Sequence, residues 1–202
     1  MPAISQHQIL AIVVGASFAS GLNVYATVAT LGLLSHANLF QLPPALLALS
    51  SWPVIVVAGV LFGLEFFADK IPLFDLVWNA LHTFIRVPIA ALLAYGATQN
   101  VSPGEQIAAT ILGGFIAFAA HGGKTALRAA VTPSPEPISN MALSAGEDVV
   151  AVSLTWFATQ HPIVSTIIVS VLVVAAIAAT RYIIRAFKRL FRQVRPGNLD
   201  LI

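Results

Sequence analysis

Long apolar segments, separated by short polar turns, fill most of this 202-residue chain. A helix needs about 20 mostly apolar residues to cross the hydrocarbon core of a bilayer. Only 9% of the residues are charged, whereas soluble domains carry about 25%. Such a chain cannot cover a water-facing surface of ordinary polarity. The sequence therefore predicts an all-α integral membrane protein without a soluble domain.

Turns rich in proline and polar residues divide the chain into six predicted transmembrane helices. These spans cover residues 8–34, 49–67, 72–97, 106–130, 138–160 and 162–188. They predict a single transmembrane domain over residues 1–190 and a basic cytoplasmic tail at 189–202. The fifth span carries Glu147 and Asp148, so a re-entrant or surface helix is the alternative there. The last span is apolar almost throughout, which predicts a lipid-facing helix.

The basic residues lie on one side of this predicted arrangement. Lys70, Lys124 and Arg128 lie at or near span ends on that side, and the region after residue 180 carries six more basic residues. Because cytoplasmic loops retain positive charge, both termini are predicted to be cytoplasmic. In the tail, apolar residues alternate with basic ones, as is typical of an interfacial helix on anionic headgroups. We therefore expect membrane lipids as partners and no nucleic acid.

An internal repeat is predicted from two similar segments. Ala19–Thr27 aligns without gaps to Ala120–Arg128, which matches Gly21 with Gly122 and Asn23 with Lys124. Each segment interrupts the apolar span that opens one half of the chain. Three spans per half is an odd number, so the second half would be inserted upside down. The pattern predicts two inverted three-helix repeats, about 8–97 and 106–188, with interrupted first helices, as in transporters that bind solutes at broken helices.

Ionisable side chains inside the spans are the candidate site residues. Each costs about 2.5–3.5 kcal/mol to insert, so such groups usually face a bundle interior or a wet cavity. The predicted anion-binding residues are Lys124, Arg86, His121, Arg128, Asn23 and His82. The two glycines before Lys124 predict a loosened helix whose free N–H groups would add to an anion site. The alternative is that Lys124 and Arg128 extend to the headgroups.

The carboxylates inside the spans are the predicted ligands of a coupling proton or cation. They are Glu147, Asp148 and Glu65. Glu147 and Asp148 are adjacent near the middle of a span, so either they pair with Lys124, Arg128 or Arg86, or one of them holds a proton. A purely structural ion pair is the alternative. Asp69, Lys70 and Asp75 are predicted to form a network at the cytoplasmic edge that fixes helix register.

Signatures of soluble enzymes are absent from the sequence. It has no phosphate-binding loop, dinucleotide fingerprint, zinc-protease motif or nucleophile elbow, and no cysteine. We predict no catalytic residue, metal or cofactor. A hydrolytic pair of Ser20 and His121 has no support beyond the presence of both residues. Gly59 and Gly63 form a GxxxG pattern, typical of a helix-packing face, and are a candidate homodimer contact.

Several of these motifs, taken together, resemble a known family. They are Gly21-Leu-Asn-Val-Tyr25, Glu65 with Asp69-Lys-Ile-Pro72 and Asp75, His121 to Lys124 with Arg128, and Ser139-Asn140 with Glu147-Asp148. Their order within apolar spans resembles the small bacterial membrane proteins labelled domain of unknown function 4126. The resemblance runs from about Gly15 to the end of the last span. It implies an integral protein of the bacterial inner membrane and implies no activity.

The expected function follows from opposite charges buried in interrupted helices. We expect a secondary transporter or flippase for a small or amphiphilic anionic solute, coupled to a proton or cation through the buried carboxylates. One alternative is a non-transporting membrane scaffold or accessory subunit whose polar network only fixes helix packing. A second alternative is an intramembrane lipid-modifying enzyme.

Overall fold

The computed structural model describes residues 5–68, 72–131 and 137–193, and within these ranges the protein is helical with no β-strand. In chain order the elements are α1 (Gln6–Leu10), a π-helix (Ala11–Ala16), α2 (Ser17–Leu22), α3 (Val24–His36), a 3₁₀ helix (Pro44–Ser50), α4 (Trp52–Ala68), α5 (Pro72–Ala97), α6 (Pro103–Val131), α7 (Pro137–Gln160) and α8 (Pro162–Gln193). Asp69, Lys70 and the tail after Gln193 lie outside the described residues. So do the side chains of Asp75, Ser139 and Asn140.

The helices confirm the all-α membrane fold. Within the described residues, three are long and apolar enough to cross a bilayer: Val77–Ala97, Pro103–Ala130 and Pro162–Arg189. The 3₁₀ helix and α4 add a fourth span if they count as one, with a bend of 66° between them. The helix predicted for the fifth span is present as α7, but it is not apolar enough to join this group. The count of six complete crossings stays a prediction.

The first long apolar segment is broken at Asn23. Its backbone is extended there, with φ −150° and ψ 104°, so α2 ends at Leu22 and α3 begins at Val24. The Asn23 side-chain oxygen accepts a hydrogen bond of 2.9 Å from the amide of Ala26, which is the usual role of asparagine at a helix N-cap. This is the interruption that the sequence predicts for the first repeat.

The interruption predicted for the second repeat is absent, because α6 runs unbroken through Gly122 and Gly123. The glycines here serve packing. A Cβ atom on Gly123 would lie 2.8 Å from the Cβ of Ala176 in α8, a distance that side chains do not tolerate, so glycine lets the two helices approach closely. The expected anion site of free N–H groups is therefore not formed, since the amides of a continuous helix bond within it.

The broken segment lies in the centre of the bundle. Apolar side chains of the π-helix, α2 and α3 pack against α6, α7 and α8, with Phe18, Leu22, Ile116 and Leu154 among the buried residues. By contrast, only 11% of the apolar window of α8 is buried, against 39% and 44% for α5 and α6. This agrees with the predicted lipid-facing position of the last helix.

The glycine pair of α4 has no packing role within the chain. Cβ atoms placed on Gly59 and Gly63 would meet no atom of the described residues within 4 Å. A small-residue face without a neighbour is compatible with lipid or with another helix. The homodimer contact stays a prediction.

Candidate functional site

Six ionisable side chains from four helices converge in the interior of the bundle, and we call them the charged cluster. They are Glu65 of α4, Arg86 of α5, Lys124 and Arg128 of α6, and Glu147 and Asp148 of α7. None is more than 8% exposed. Three acids face three bases, so the formal charges of these six residues cancel when all are ionised. This balance allows the cluster to remain inside an apolar bundle.

Arg86 is fully buried and holds the α4 side of the cluster. Its guanidinium forms an ion pair with Glu65, and it donates to the side-chain oxygen of Asn79 at 3.2 Å. The same nitrogen lies 2.9 Å from Nδ1 of His121. Arg86 therefore binds α4, a second position on α5, and α6 at once.

These contacts determine the protonation of His121. A guanidinium only donates hydrogen bonds, so Nδ1 of His121 accepts the bond from Arg86 and carries no proton. The proton lies on Nε2, which is 2.7 Å from the hydroxyl of Thr83. His121 is thus a neutral imidazole that orients Arg86, and it adds no positive charge for an anion.

Lys124 joins three elements through its ammonium group. Nζ donates to the carbonyl oxygen of Leu22 at 3.0 Å, lies 3.2 Å from Oε2 of Glu147 and lies 3.9 Å from Oε1 of Glu65. Leu22 is the last residue of α2, so this carbonyl is one of those that a helix end leaves without an intrahelical partner. The side chain of Lys124 is held at the break in the first helix.

Arg128 completes the α7 side of the cluster. Its guanidinium nitrogen lies 2.6 Å from Oε2 of Glu147, and the residue is 3% exposed. Neither Arg128 nor Lys124 extends to the headgroups, so that alternative is not what the structure shows. Oε2 of Glu147 receives both cations. Its other oxygen, Oε1, is buried without a hydrogen-bond partner among the described residues.

The adjacent carboxylates of α7 have different partners. Glu147 binds the two basic residues of α6, whereas Oδ1 of Asp148 accepts a hydrogen bond of 2.8 Å from Nδ2 of Asn23. Asn23 therefore uses its oxygen to cap α3 and its nitrogen to bind α7. This separation relieves the repulsion expected between neighbouring carboxylates.

His82 lies on the α3 side of α5. A carbonyl oxygen only accepts hydrogen bonds, so Nδ1 of His82 donates to the Trp78 carbonyl at 2.7 Å. Nε2 then accepts from the hydroxyl of Tyr25 at 3.2 Å, and the two rings meet edge to face. His82 is buried and neutral in this arrangement. It connects the Tyr25 turn of α3 to α5 without bringing charge.

The hydrolytic pair of Ser20 and His121 is not assembled in the described structure. Both ring nitrogens of His121 are engaged, by Arg86 and Thr83, while the hydroxyl of Ser20 is buried without a hydrogen-bond partner among the described residues. Nor does the described part of the chain contain a group of three or more His, Cys, Asp or Glu residues that could hold a metal ion.

Two members of this site are not evident from the sequence. Thr83 lies one turn from both Asn79 and Arg86, so the polar stripe along α5 could have indicated it. The carbonyl of Leu22 has no signal of its own, since every residue carries one. Only the position of the helix break and the reach of Lys124 identify it.

Comparison with known families finds one match, to the family described as Domain of unknown function (DUF4126), over residues 10–182. The matched region contains the whole charged cluster. No curated protein and no solved structure matches the chain.

Proposed function

The chain belongs to the DUF4126 family, whose description names no activity, and from the geometry of the charged cluster we propose a secondary transporter or flippase for a small or amphiphilic anionic solute. The observation that carries the proposal is Lys124. Its buried ammonium is shared between the end of a broken helix and carboxylates of two other helices. Broken helices with ionisable groups are typical of binding sites in secondary transporters.

The ion pairs supply a mechanism for coupling. Lys124 and Arg86 are both bound to carboxylates, so an anion can bind them only when those carboxylates release them. A proton or cation on Glu147 or Glu65 would weaken the ion pairs and free the bases. Each ligand then favours the binding of the other, and this reciprocity is what coupled transport requires. Arg128 stays with Glu147, while His121, His82 and Asn23 position the cluster.

The proposal includes an arrangement in the membrane. We propose that the protein lies in the bacterial inner membrane with both termini in the cytoplasm, as the distribution of basic residues predicts. We propose further that residues 8–97 and 106–188 are inverted repeats, although only the first begins with a broken helix. Addition of a membrane-impermeant reagent to cysteines introduced at Gln6 and Arg185 of intact cells tests the orientation, because cytoplasmic positions will not react.

Proteoliposomes test transport directly. Vesicles that contain a trapped pH-sensitive dye are given inorganic phosphate or acetate on one side, and parallel vesicles carry fluorescent phosphatidylglycerol for a dithionite flipping assay. We expect the wild type to move one of these anions, and Lys124→Ala to lower the rate at least about tenfold, as loss of a charge-assisted hydrogen bond implies. Glu147→Gln should separate anion movement from proton movement.

The control is Lys188→Ala, which removes the same charge from an exposed position on α8. It should transport at the wild-type rate. Unaltered transport in both Lys124→Ala and Glu147→Gln would remove the mechanism.

A non-transporting scaffold is the second candidate function, and the balance of the charged cluster favours it. Each of the three bases is paired with a carboxylate, and such a network can simply fix helix packing. The double variant Glu65→Gln with Arg86→Met replaces one pair by neutral groups of similar size, which is often tolerated structurally. A scaffold would keep its function in this variant, whereas a transporter would lose anion movement while still folding.

A further inference from the structure

The ammonium of Lys124 is surrounded by the kind of oxygen atoms that bind a monovalent cation. They are the carbonyl at the end of α2, at 3.0 Å from Nζ, and carboxylate oxygens of Glu147 and Glu65, at 3.2 and 3.9 Å. Hard cations take carboxylate and carbonyl oxygens as ligands. In transporters with broken helices, sodium binds to the carbonyls at such a helix end.

We propose that Lys124 is a tethered cation that fills a sodium-type site. The site is formed by the Leu22 carbonyl, Glu147 and Glu65, and in the wild type the ammonium takes the place of the ion. Lysine reaches this position because α6 is continuous and packs against the break, so its side chain meets the end of α2. The wild-type protein therefore needs no sodium at this site.

The charges of the cluster make the inference testable. Without the ammonium of Lys124, two bases face three acids among the six residues, and an uncompensated charge in a buried position is strongly unfavourable. Lys124→Ala removes both the ammonium and its stem, which leaves space for an ion beside the same oxygens. Lys124→Met removes the charge but keeps that space filled.

The site itself is inferred from contacts alone, whereas its consequence for coupling rests on the function proposed above. With sodium excluded by Lys124, the coupling ion of the proposed transporter would be a proton. The experiment below uses neither a solute nor a gradient, so it can fail while transport is observed, and it can succeed if transport is absent.

Thermal unfolding of the full-length, detergent-purified protein in equal concentrations of NaCl and choline chloride tests the site. For Lys124→Ala we expect a higher Tm in NaCl, by at least about 3 °C, with a rise that saturates as one-site binding to the folded state predicts. The wild type, Lys124→Met and Lys188→Ala should show the same Tm in both salts. The double variant Lys124→Ala with Glu147→Gln should lose the sodium effect, because it lacks a ligand and its charges again cancel.

Each other outcome would overturn the inference. Equal Tm values for Lys124→Ala in the two salts would do so, as would a sodium effect of the same size in the wild type or in Lys188→Ala. A Lys124→Ala protein that cannot be obtained folded in either salt would also overturn it, because sodium should then have replaced the ammonium.

Discussion

Two segments that align in sequence, Ala19–Thr27 and Ala120–Arg128, fold differently: the first is broken and the second is a continuous helix. The residues at the matched position explain the difference. Asn23 offers a side-chain oxygen that caps the following helix, whereas lysine has no acceptor and cannot act as such a cap. Lys124 therefore stays within α6. Similar sequence patterns here do not produce similar local structure.

The two segments are nevertheless complementary in space. The break leaves the carbonyl of Leu22 available at the end of α2, and the ammonium of Lys124 donates to it. Gly21 lies against α6 so closely that a Cβ there would contact the backbone of Ala117. The broken helix supplies the acceptor, and the continuous helix supplies the charge.

The largest expected difference is between Arg128 and Thr27, which are also matched in the alignment. Arg128→Met leaves Glu147 with one base fewer, and loss of one partner of a buried pair costs about 3–5 kcal/mol. Since Lys124 still lies near Glu147, the lower end is expected. Thr27→Val removes only a hydrogen bond to the Asn23 carbonyl, about 0.5–1.5 kcal/mol.

Chemical unfolding in detergent micelles measures both variants. The double variant Glu147→Gln with Arg128→Met should recover most of the lost stability, since no uncompensated charge remains. Equal losses for Arg128→Met and Thr27→Val would mean that the charged cluster contributes no more than an ordinary hydrogen bond.

A second comparison concerns the matched glycines. A Cβ on Gly21 would meet the backbone of Ala117 and lie 2.7 Å from the Cβ of Ala120. Gly21→Ala should therefore cost about 1–3 kcal/mol through overpacking. A Cβ on Gly122 would make only an ordinary contact of 3.8 Å with the hydroxyl of Thr180, so Gly122→Ala should be neutral or gain up to about 1 kcal/mol in helix propensity. Thermal unfolding of the two variants measures the difference, and the reverse order would contradict the close contact of α2 with α6.

The cap at the break gives a smaller effect. Asn23→Ala removes the hydrogen bond to the Ala26 amide, which costs about 0.5–2 kcal/mol, and also the bond to Asp148. Asn23→Ser keeps a capping oxygen but lacks the nitrogen that binds Asp148, so it should lose less than Asn23→Ala. The unfolding free energies of both variants, compared with the wild type, separate the two roles. Identical losses would show that the cap contributes nothing.

The smallest effect is expected at Gly59, which serves as a reference for the buried glycines. No described atom lies within 4 Å of a Cβ placed there. Gly59→Ala should change the unfolding free energy of the monomer by no more than the gain in helix propensity, up to about 1 kcal/mol. A loss as large as that of Gly21→Ala would show that α4 packs against a second copy. Chemical crosslinking in the same detergent would then show whether the variant is less dimeric.

Much of the fold could be predicted from local sequence. Apolar lengths and proline-containing turns indicated α5, α6, α7 and α8 to within a few residues, and a polar Asn23 inside an apolar segment indicated the first break. The predicted break at Gly122 and Gly123 was wrong, because a glycine pair has the same local signature whether it loosens a helix or receives a neighbouring one. The contact with Ala176 decides between them.

The site was predictable in membership more than in pairing. The cost of burying Glu65, Arg86 or Lys124 in an apolar span already implies that such groups meet one another. Which carboxylate meets which base depends on how helices rotate and slide against each other. Asn23 and Asp148, for example, are 125 residues apart in the chain, and no local pattern encodes that contact.

The sequence by itself determined that this chain is helical, that it belongs in a membrane, and that its buried acids and bases must find partners, because these follow from the free energy of placing each side chain in an apolar environment. Only the tertiary structure decided that His121 is neutral beside Arg86, that Glu147 rather than Asp148 binds the bases of α6, and that Lys124 reaches the end of a broken helix. Those outcomes depend on distances of a few ångströms between helices that are far apart in the chain.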